Sequence, residues 1–128
     1  MRYMGIDYGS KRIGIAVSDD EGRMAFPSGI IVNRRKIIIK EIIGRIKKEN
    51  IGVVVVGLPL GLHAQETAQT RTTKSFISIL AKAIHIPIET ENEMFTSRMA
   101  EESGMRNSHI DASSAALILQ SYLDRMHR

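Results

Sequence analysis

The chain has 128 residues, no cysteine and a formal net charge of +4. This length fits one domain over residues 1–128, and the lack of cysteine excludes disulfides and thiolate metal centres. The sequence contains no run of about 18 apolar residues, and Asp7 and Lys11 interrupt its N-terminus too early for a signal peptide. We therefore expect a cytoplasmic protein with no membrane partner, whose basic charge suits a polyanion such as nucleic acid.

Three strands are predicted at the start of the chain. Residues 2–6 and 12–18 are apolar runs joined by a short turn, so they should pair as an antiparallel hairpin. A third strand is predicted over residues 24–32, where Pro27 indicates an edge position or a bulge. This arrangement leaves Asp7 at the tip of the first strand.

An amphipathic helix is predicted after the third strand. Isoleucines recur there at the spacing of one helical face, at Ile39, Ile42, Ile43 and Ile46, and Asn33 is the predicted N-cap. The same segment carries seven of the 18 Lys and Arg residues: Arg34, Arg35, Lys36, Lys40, Arg45, Lys47 and Lys48. Two interpretations of these charges stay open, a solvated helix face, which we favour, and a surface for nucleic acid.

Strands and helices alternate in the rest of the chain. Four consecutive valines at residues 53–56 favour a strand buried on both faces. The other predicted elements are a strand at 86–91 and helices at 64–83 (inner side Phe76, Ile79, Leu80 and Ala83), 96–102 and 108–126 (inner side Ala115, Leu119 and Tyr122). Right-handed crossovers make the first, fourth and fifth strands parallel neighbours. The predicted fold is therefore α/β, with a five-stranded mixed sheet of order 3-2-1-4-5 flanked by helices.

Three acidic residues are predicted to meet at one edge of this sheet. Ligands bind open α/β sheets beyond the carboxyl ends of parallel strands, where Asp7 follows the first strand and Glu93 the fifth. Asp111, in the first turn of the last helix, reaches the same place if that helix packs beside the first strand. Clustered carboxylates need a cation, and oxygen ligands suit Mg²⁺ or Mn²⁺. The cluster predicts a two-metal site for phosphodiester cleavage.

Each of these acids also has a purely structural interpretation. Asp7 fits an Asx turn before Gly9, and Glu93 fits a solvent-facing loop. Asp111 fits a capping box in which Ser108 is the cap. The residue pattern alone leaves these alternatives open.

Four segments of the chain match the motifs of a known family. The segments are GIDYGSKRIGIAVSD at 5–19, VVVGLPL at 54–60, Thr96–Ser97 after Glu93, and IDASSAALILQSYLD at 110–124. Together they resemble the YqgF/RuvX family, whose members are described as Holliday junction resolvases and as nucleases that mature precursor 16S rRNA. The resemblance covers nearly the whole chain and implies a ribonuclease H-like fold. It places the family's catalytic and metal-binding acids at Asp7, Glu93 and Asp111.

The resemblance implies a hydrolase, a metal-dependent endonuclease acting on structured nucleic acid. Processing of the 5′ end of pre-16S rRNA is the first expectation and Holliday junction resolution the second, with RNA favoured over branched DNA and a monomer or homodimer expected. Lys11 and Arg12 beside Asp7, and Arg98 after Glu93, are candidate nucleic-acid contacts.

Two departures and two rival functions qualify this expectation. Asn92 and Met94 stand where the family usually has Asp and Arg, which predicts slow turnover and a preference for Mn²⁺. The first rival is a non-catalytic RNA-binding or ribosome-assembly module. The second is an actin-like ATPase domain, because GIDYGSKRIG at 5–14 also resembles the phosphate-binding hairpin of that superfamily.

Overall fold

The computed structural model describes residues 1–34, 36–93 and 110–127, with the backbone alone for 110–113. The strands are β1 Arg2–Tyr8, β2 Arg12–Ser18, β3 Ala25–Val32, β4 Ile51–Leu58 and β5 Ile88–Asn92. The helices are α1 Ile38–Lys48, α2 Ala68–Ala83 and α3 Ile110–Met126, and Leu62–Ala64 forms a short 3₁₀ turn. The predicted helix at 96–102, together with Arg98, lies outside the described residues.

The sheet has the predicted order β3-β2-β1-β4-β5. β1 pairs antiparallel with β2 and parallel with β4, and β4 pairs parallel with β5. Pro27 lies in the edge strand β3, next to a register shift between Ile15 and Ala16, so both predicted consequences of this proline are present. The five-stranded mixed sheet is confirmed.

The alternating side chains of β1 face two different layers of helices. Met4 and Ile6 are fully buried in the cluster that includes residues of α1 and α2. Gly5 lies against α3, where an added Cβ would be 2.8 Å from the carbonyl oxygen of Ala115. Since successive residues of a strand point to opposite faces, Asp7 shares the α3 face with Gly5.

Several predicted boundaries and inner positions are wrong. The first strand continues two residues beyond the predicted end, because Asp7 pairs with Gly14 and Tyr8 with Ile13. Asn33 is not the cap of α1; Ile37 occupies that position without a side-chain cap. The Asn33 amide instead donates a hydrogen bond of 2.7 Å to the carbonyl of Gly9, a partner distant in sequence.

The start and the inner face of α2 also differ from the prediction. The helix begins after Thr67, whose side chain forms a capping box with Thr70, rather than at residue 64. Its buried stripe is Thr70, Thr73, Phe76 and Leu80. Ile79 is 57% exposed, and Ala83 is exposed as well, because two threonines take inward positions and rotate the stripe away from them. In α3, by contrast, the predicted inner residues Ala115, Leu119 and Tyr122 are all buried.

Within the described part of the chain, no helix is both long enough and apolar enough to cross a membrane.

Candidate active site

Asp7 and Glu93 meet at the carboxyl edge of the sheet, the edge where β1, β4 and β5 end. Asp7 lies near the end of β1, the central strand, and Glu93 directly follows β5. The two carboxyl groups are hydrogen-bonded to each other. Burial, this hydrogen bond and the charge of Asp7 raise the pKa of Glu93 to about 9. At neutral pH and without a metal, the protonated Glu93 therefore donates to the Asp7 carboxylate.

Glu93 lies in space that is left free by a glycine at the end of β4. A Cβ added to Gly57 would lie 2.7 Å from Oε1 of Glu93 and 2.4 Å from Cδ1 of Ile118 in α3. The carboxyl group thus turns back over β4 toward the central strand. The bare backbone at Gly57 is what allows it to approach Asp7.

Glu91, two residues before Glu93, ties β5 to α3. Its side chain is 6% exposed, accepts a hydrogen bond of 2.8 Å from Ser121 Oγ and pairs with the Arg125 guanidinium at 2.6 Å. Alternation along β5 puts Glu91 on the same face as Glu93. Glu91 was not among the predicted site residues, although the spacing of Glu89, Glu91 and Glu93 indicates one acidic strand face.

α3 runs antiparallel to β1, with its first turn toward Asp7. The Tyr122 ring lies 6.0 Å from the Tyr3 ring, whereas Ala115, earlier in the helix, lies over Gly5, later in the strand. Extending this progression by one helical turn brings the backbone of Asp111 toward the end of β1 that carries Asp7. The side chain of Asp111 lies outside the described residues, so its convergence with the other two acids stays a prediction.

The β1–β2 turn beside Asp7 carries the two predicted phosphate contacts. Lys11 and Arg12 are both exposed. The turn is held by Asn33, which donates through its side chain to Gly9 and through its backbone N–H to the Lys11 carbonyl at 2.9 Å. Both cations therefore project from an ordered turn next to the acids.

The donor chemistry of the pair fits a hard divalent cation. Two carboxylates in contact would repel each other, so one of the two groups holds a proton at neutral pH. A cation bound between them could replace this proton and would then offset the negative charge of both carboxylates. The described residues contain no group of three or more acidic, histidine or cysteine side chains close enough to hold a metal. Asp111, whose side chain lies outside the described residues, stays the predicted third carboxylate.

Replacing Glu93 with Gln is expected to weaken the pH dependence of stability. The pKa of Glu93 is about 9 in the fold against an ordinary 4.5. Between these values the folded state holds the extra proton, so the free energy of unfolding of the wild type falls as pH rises. In chelator, the melting temperature of the wild type should drop between about pH 5 and about pH 8, and the drop should be smaller for Glu93→Gln. Equal drops in both proteins would contradict the buried, shared proton.

The comparison with known families settles the classification. The RuvX family model, described as Holliday junction resolvase, matches residues 1–125. The chain belongs to the RuvX family. A relative from a Sulfurihydrogenibium species, named "Putative pre-16S rRNA nuclease", is 42% identical over 98% of this chain and 91% of its own length. A relative of the same name from an Anaeromyxobacter species is 36% identical over 99% of each chain.

Solved structures confirm the fold of this RuvX family member. A solved structure of Thermus thermophilus RuvC in complex with a Holliday junction substrate superposes on this chain with a TM-score of 0.66 and 16% sequence identity. The match covers 99% of this chain and 96% of that chain. The ribonuclease H-like α/β fold implied by the sequence resemblance is therefore present.

Proposed function

We propose that the protein is a metal-dependent endonuclease that hydrolyses phosphodiesters in structured nucleic acid. The observation that carries this proposal is the contact between the Asp7 and Glu93 carboxyl groups at the carboxyl edge of the sheet, on the face covered by α3. A carboxyl group with a strongly raised pKa in contact with a second carboxyl group marks a candidate functional site, and the pair offers oxygen ligands for a cation. Membership of the RuvX family supports the same activity.

The proposed roles follow from how each residue is held. Asp7 and Asp111 hold Mg²⁺ or Mn²⁺, with Asp7 fixed by the central strand. Glu93 is a further ligand and positions the attacking water. Lys11 and Arg12 orient the phosphate from the β1–β2 turn. When bound, divalent cations supply the charge that activates water and stabilises the leaving oxygen.

The proposed substrate is the 5′ end of pre-16S rRNA, processed in the cytoplasm by a monomer or homodimer. The names of the two relatives at 42% and 36% identity support this choice. Holliday junction resolution is the second candidate, supported by the description of the family and by the fold shared with RuvC.

Purified protein should cleave a pre-16S rRNA fragment in preference to a four-way DNA junction, faster with Mn²⁺ than with Mg²⁺, and not at all in chelator. The Mn²⁺ preference is expected because Asn92 and Met94 replace charged neighbours of Glu93, and Mg²⁺ demands the more regular ligand geometry. Labelled substrates resolved on denaturing gels measure the rates.

Glu93→Gln should cleave more slowly than the wild type, and full activity in this variant would contradict the proposed role of Glu93. Glu89→Gln is its matched control, because it neutralises an exposed acid of β5 and should cleave like the wild type. Cleavage that persists in chelator would refute the metal-dependent mechanism. Failure to cleave either substrate with either metal would favour the non-catalytic RNA-binding module.

A further inference from the structure

Two connections at the carboxyl edge form one continuous surface. The β1–β2 turn contains Lys11, and the β3–α1 connection contains Arg34 and Lys36. Asn33 joins them, since its amide donates to the Gly9 carbonyl at 2.7 Å and its backbone N–H to the Lys11 carbonyl at 2.9 Å. We call the exposed side chains of Lys11, Arg34 and Lys36 the basic corner.

The three cations of the basic corner have no acidic partner among the described residues. In the described part of the chain, Lys11, Arg34 and Lys36 form no salt bridge. Four other described cations pair with acids: Arg2 with Asp20 and Glu49, Arg23 with Glu21, Lys74 with Glu66, and Arg125 with Glu91. Lys40, Arg45, Lys47, Lys48, Arg71 and Lys82 form no salt bridge among the described residues either, but they do not belong to the two connections beside Asp7. What distinguishes Lys11, Arg34 and Lys36 is therefore their position: three cations unpaired among the described residues lie together beside the candidate active site, where a polyanion would approach.

The position of α1 separates this corner from the remaining basic residues of the same segment. α1 begins after β3 at the carboxyl edge and ends before β4, where Glu49 pairs with Arg2 at the opposite edge. Lys47, in the last turn of α1, thus lies at the far end of the sheet from Asp7. The basic residues of 34–48, which the sequence suggested as one helix face, are therefore divided between the two edges of the sheet.

The three side chains of the basic corner are chemically suited to the sugar–phosphate backbone. Neither Gly9–Lys11 nor Asn33–Ile37 contains an aromatic residue on which a base could stack. Exposed Lys and Arg side chains contact phosphates as positioning charges that carry no sequence information. Two connections held together by Asn33 present these charges at fixed places.

We propose that the basic corner binds backbone phosphates of the nucleic-acid substrate outside the cleaved bond. This inference rests on the proposed function, because it takes the Asp7–Glu93 pair as the place of cleavage. It extends the substrate surface beyond the β1–β2 turn to Arg34 and Lys36, and it makes Asn33 a positioning residue for that surface.

The test compares two double variants that remove the same charge. Arg34→Ala/Lys36→Ala removes two cations of the corner, and Lys47→Ala/Lys82→Ala removes two exposed cations from the ends of α1 and α2. Binding of a labelled RNA stem with a single-stranded 5′ extension is measured in chelator by fluorescence anisotropy, from about 50 to about 200 mM salt. The corner variant should lose about 0.7–0.9 in the slope of log affinity against log salt for each lost phosphate contact. The control variant should keep the slope of the wild type.

Asn33→Ala tests the positioning without changing any charge. It should weaken RNA binding severalfold at low salt, and its melting temperature reports whether the fold persists. Equal slopes for the two double variants would overturn the proposal. Wild-type affinity in Asn33→Ala would overturn the part assigned to Asn33.

RNA binding is measured in chelator, where no cleavage is expected. The nuclease proposal and the basic-corner proposal can therefore be refuted independently of each other. If Arg34→Ala/Lys36→Ala lowers the salt dependence of RNA binding while the wild type cleaves nothing with metal, the basic corner is supported and the nuclease proposal fails. If the wild type cleaves and both double variants bind alike, the nuclease proposal stands and the basic corner is refuted.

Discussion

Replacing Asp7 with Asn is expected to lower the cleavage rate by about a hundredfold or more. Asp7 is the proposed metal ligand on the central strand, and a bound cation contributes several kcal/mol of transition-state stabilisation. Each loss of about 1.4 kcal/mol costs a factor of ten in rate. Single-turnover cleavage at saturating Mn²⁺ measures the effect on the chemical step.

The same variant should keep or raise the melting temperature in chelator. The wild-type pair holds a carboxylate against a partly buried carboxyl whose pKa is about 9, and a neutral amide removes that unfavourable charge. Added Mn²⁺ should stabilise the wild type and leave Asp7→Asn nearly unchanged, because a ligand stabilises only the state that binds it. Asp20→Asn, whose side chain is 89% exposed, is the control that should retain both activity and the response to Mn²⁺.

Two results would contradict these roles of Asp7. Full activity in Asp7→Asn would remove it from the metal site. A large loss of melting temperature without loss of the Mn²⁺ response would show that Asp7 serves the fold instead.

Replacing Gly5 with Ala is expected to destabilise the protein by about 1–3 kcal/mol, the usual cost of overpacking a core. An added Cβ would lie 2.8 Å from the carbonyl oxygen of Ala115 and 2.8 Å from Cβ of Leu119. Neither atom can rotate away, so α3 must move off the sheet. Thermal unfolding should show a fall of about 5 °C or more.

Gly44→Ala is the matched control for this packing effect. No atom lies within 4 Å of the Cβ position at Gly44, which is in α1. The substitution should stabilise the protein by about 0.5–1 kcal/mol, because it improves helix propensity and restricts the unfolded chain. If Gly5→Ala is as stable as the wild type, the close approach of α3 to β1 is wrong.

The sheet and the acidic pair could be predicted because both depend on local patterns. Alternating apolar runs defined the strands, and the right-handed crossover rule then determined their order. Asp7 and Glu93 follow from the same logic, since each comes at the carboxyl end of a parallel strand. Their mutual approach also needs the bare backbone of Gly57, which no local pattern in β4 reveals.

Two of the wrong predictions, at Asn33 and Ile79, concern positions whose partners are set by packing against other elements. Asn33 has the composition of a helix cap, yet it bonds to Gly9, 24 residues earlier. Ile79 has the spacing of an inner residue, yet Thr70 and Thr73 occupy the buried stripe of α2. In both cases tertiary packing overrides a local preference, and only the assembled sheet determines which partner is available.

The close packing of α3 on the sheet has a consequence for protein synthesis. Five of the seven buried residues in the cluster beneath this helix belong to the helix itself: Ala115, Ile118, Leu119, Tyr122 and Leu123. A nascent chain that has not yet reached residue 110 therefore exposes an apolar sheet face, a surface that chaperones bind. The same chain lacks Asp111. The growing polypeptide can therefore bury this face of its sheet only once α3 has been synthesised, and with it the Asp111 that the proposed metal site requires.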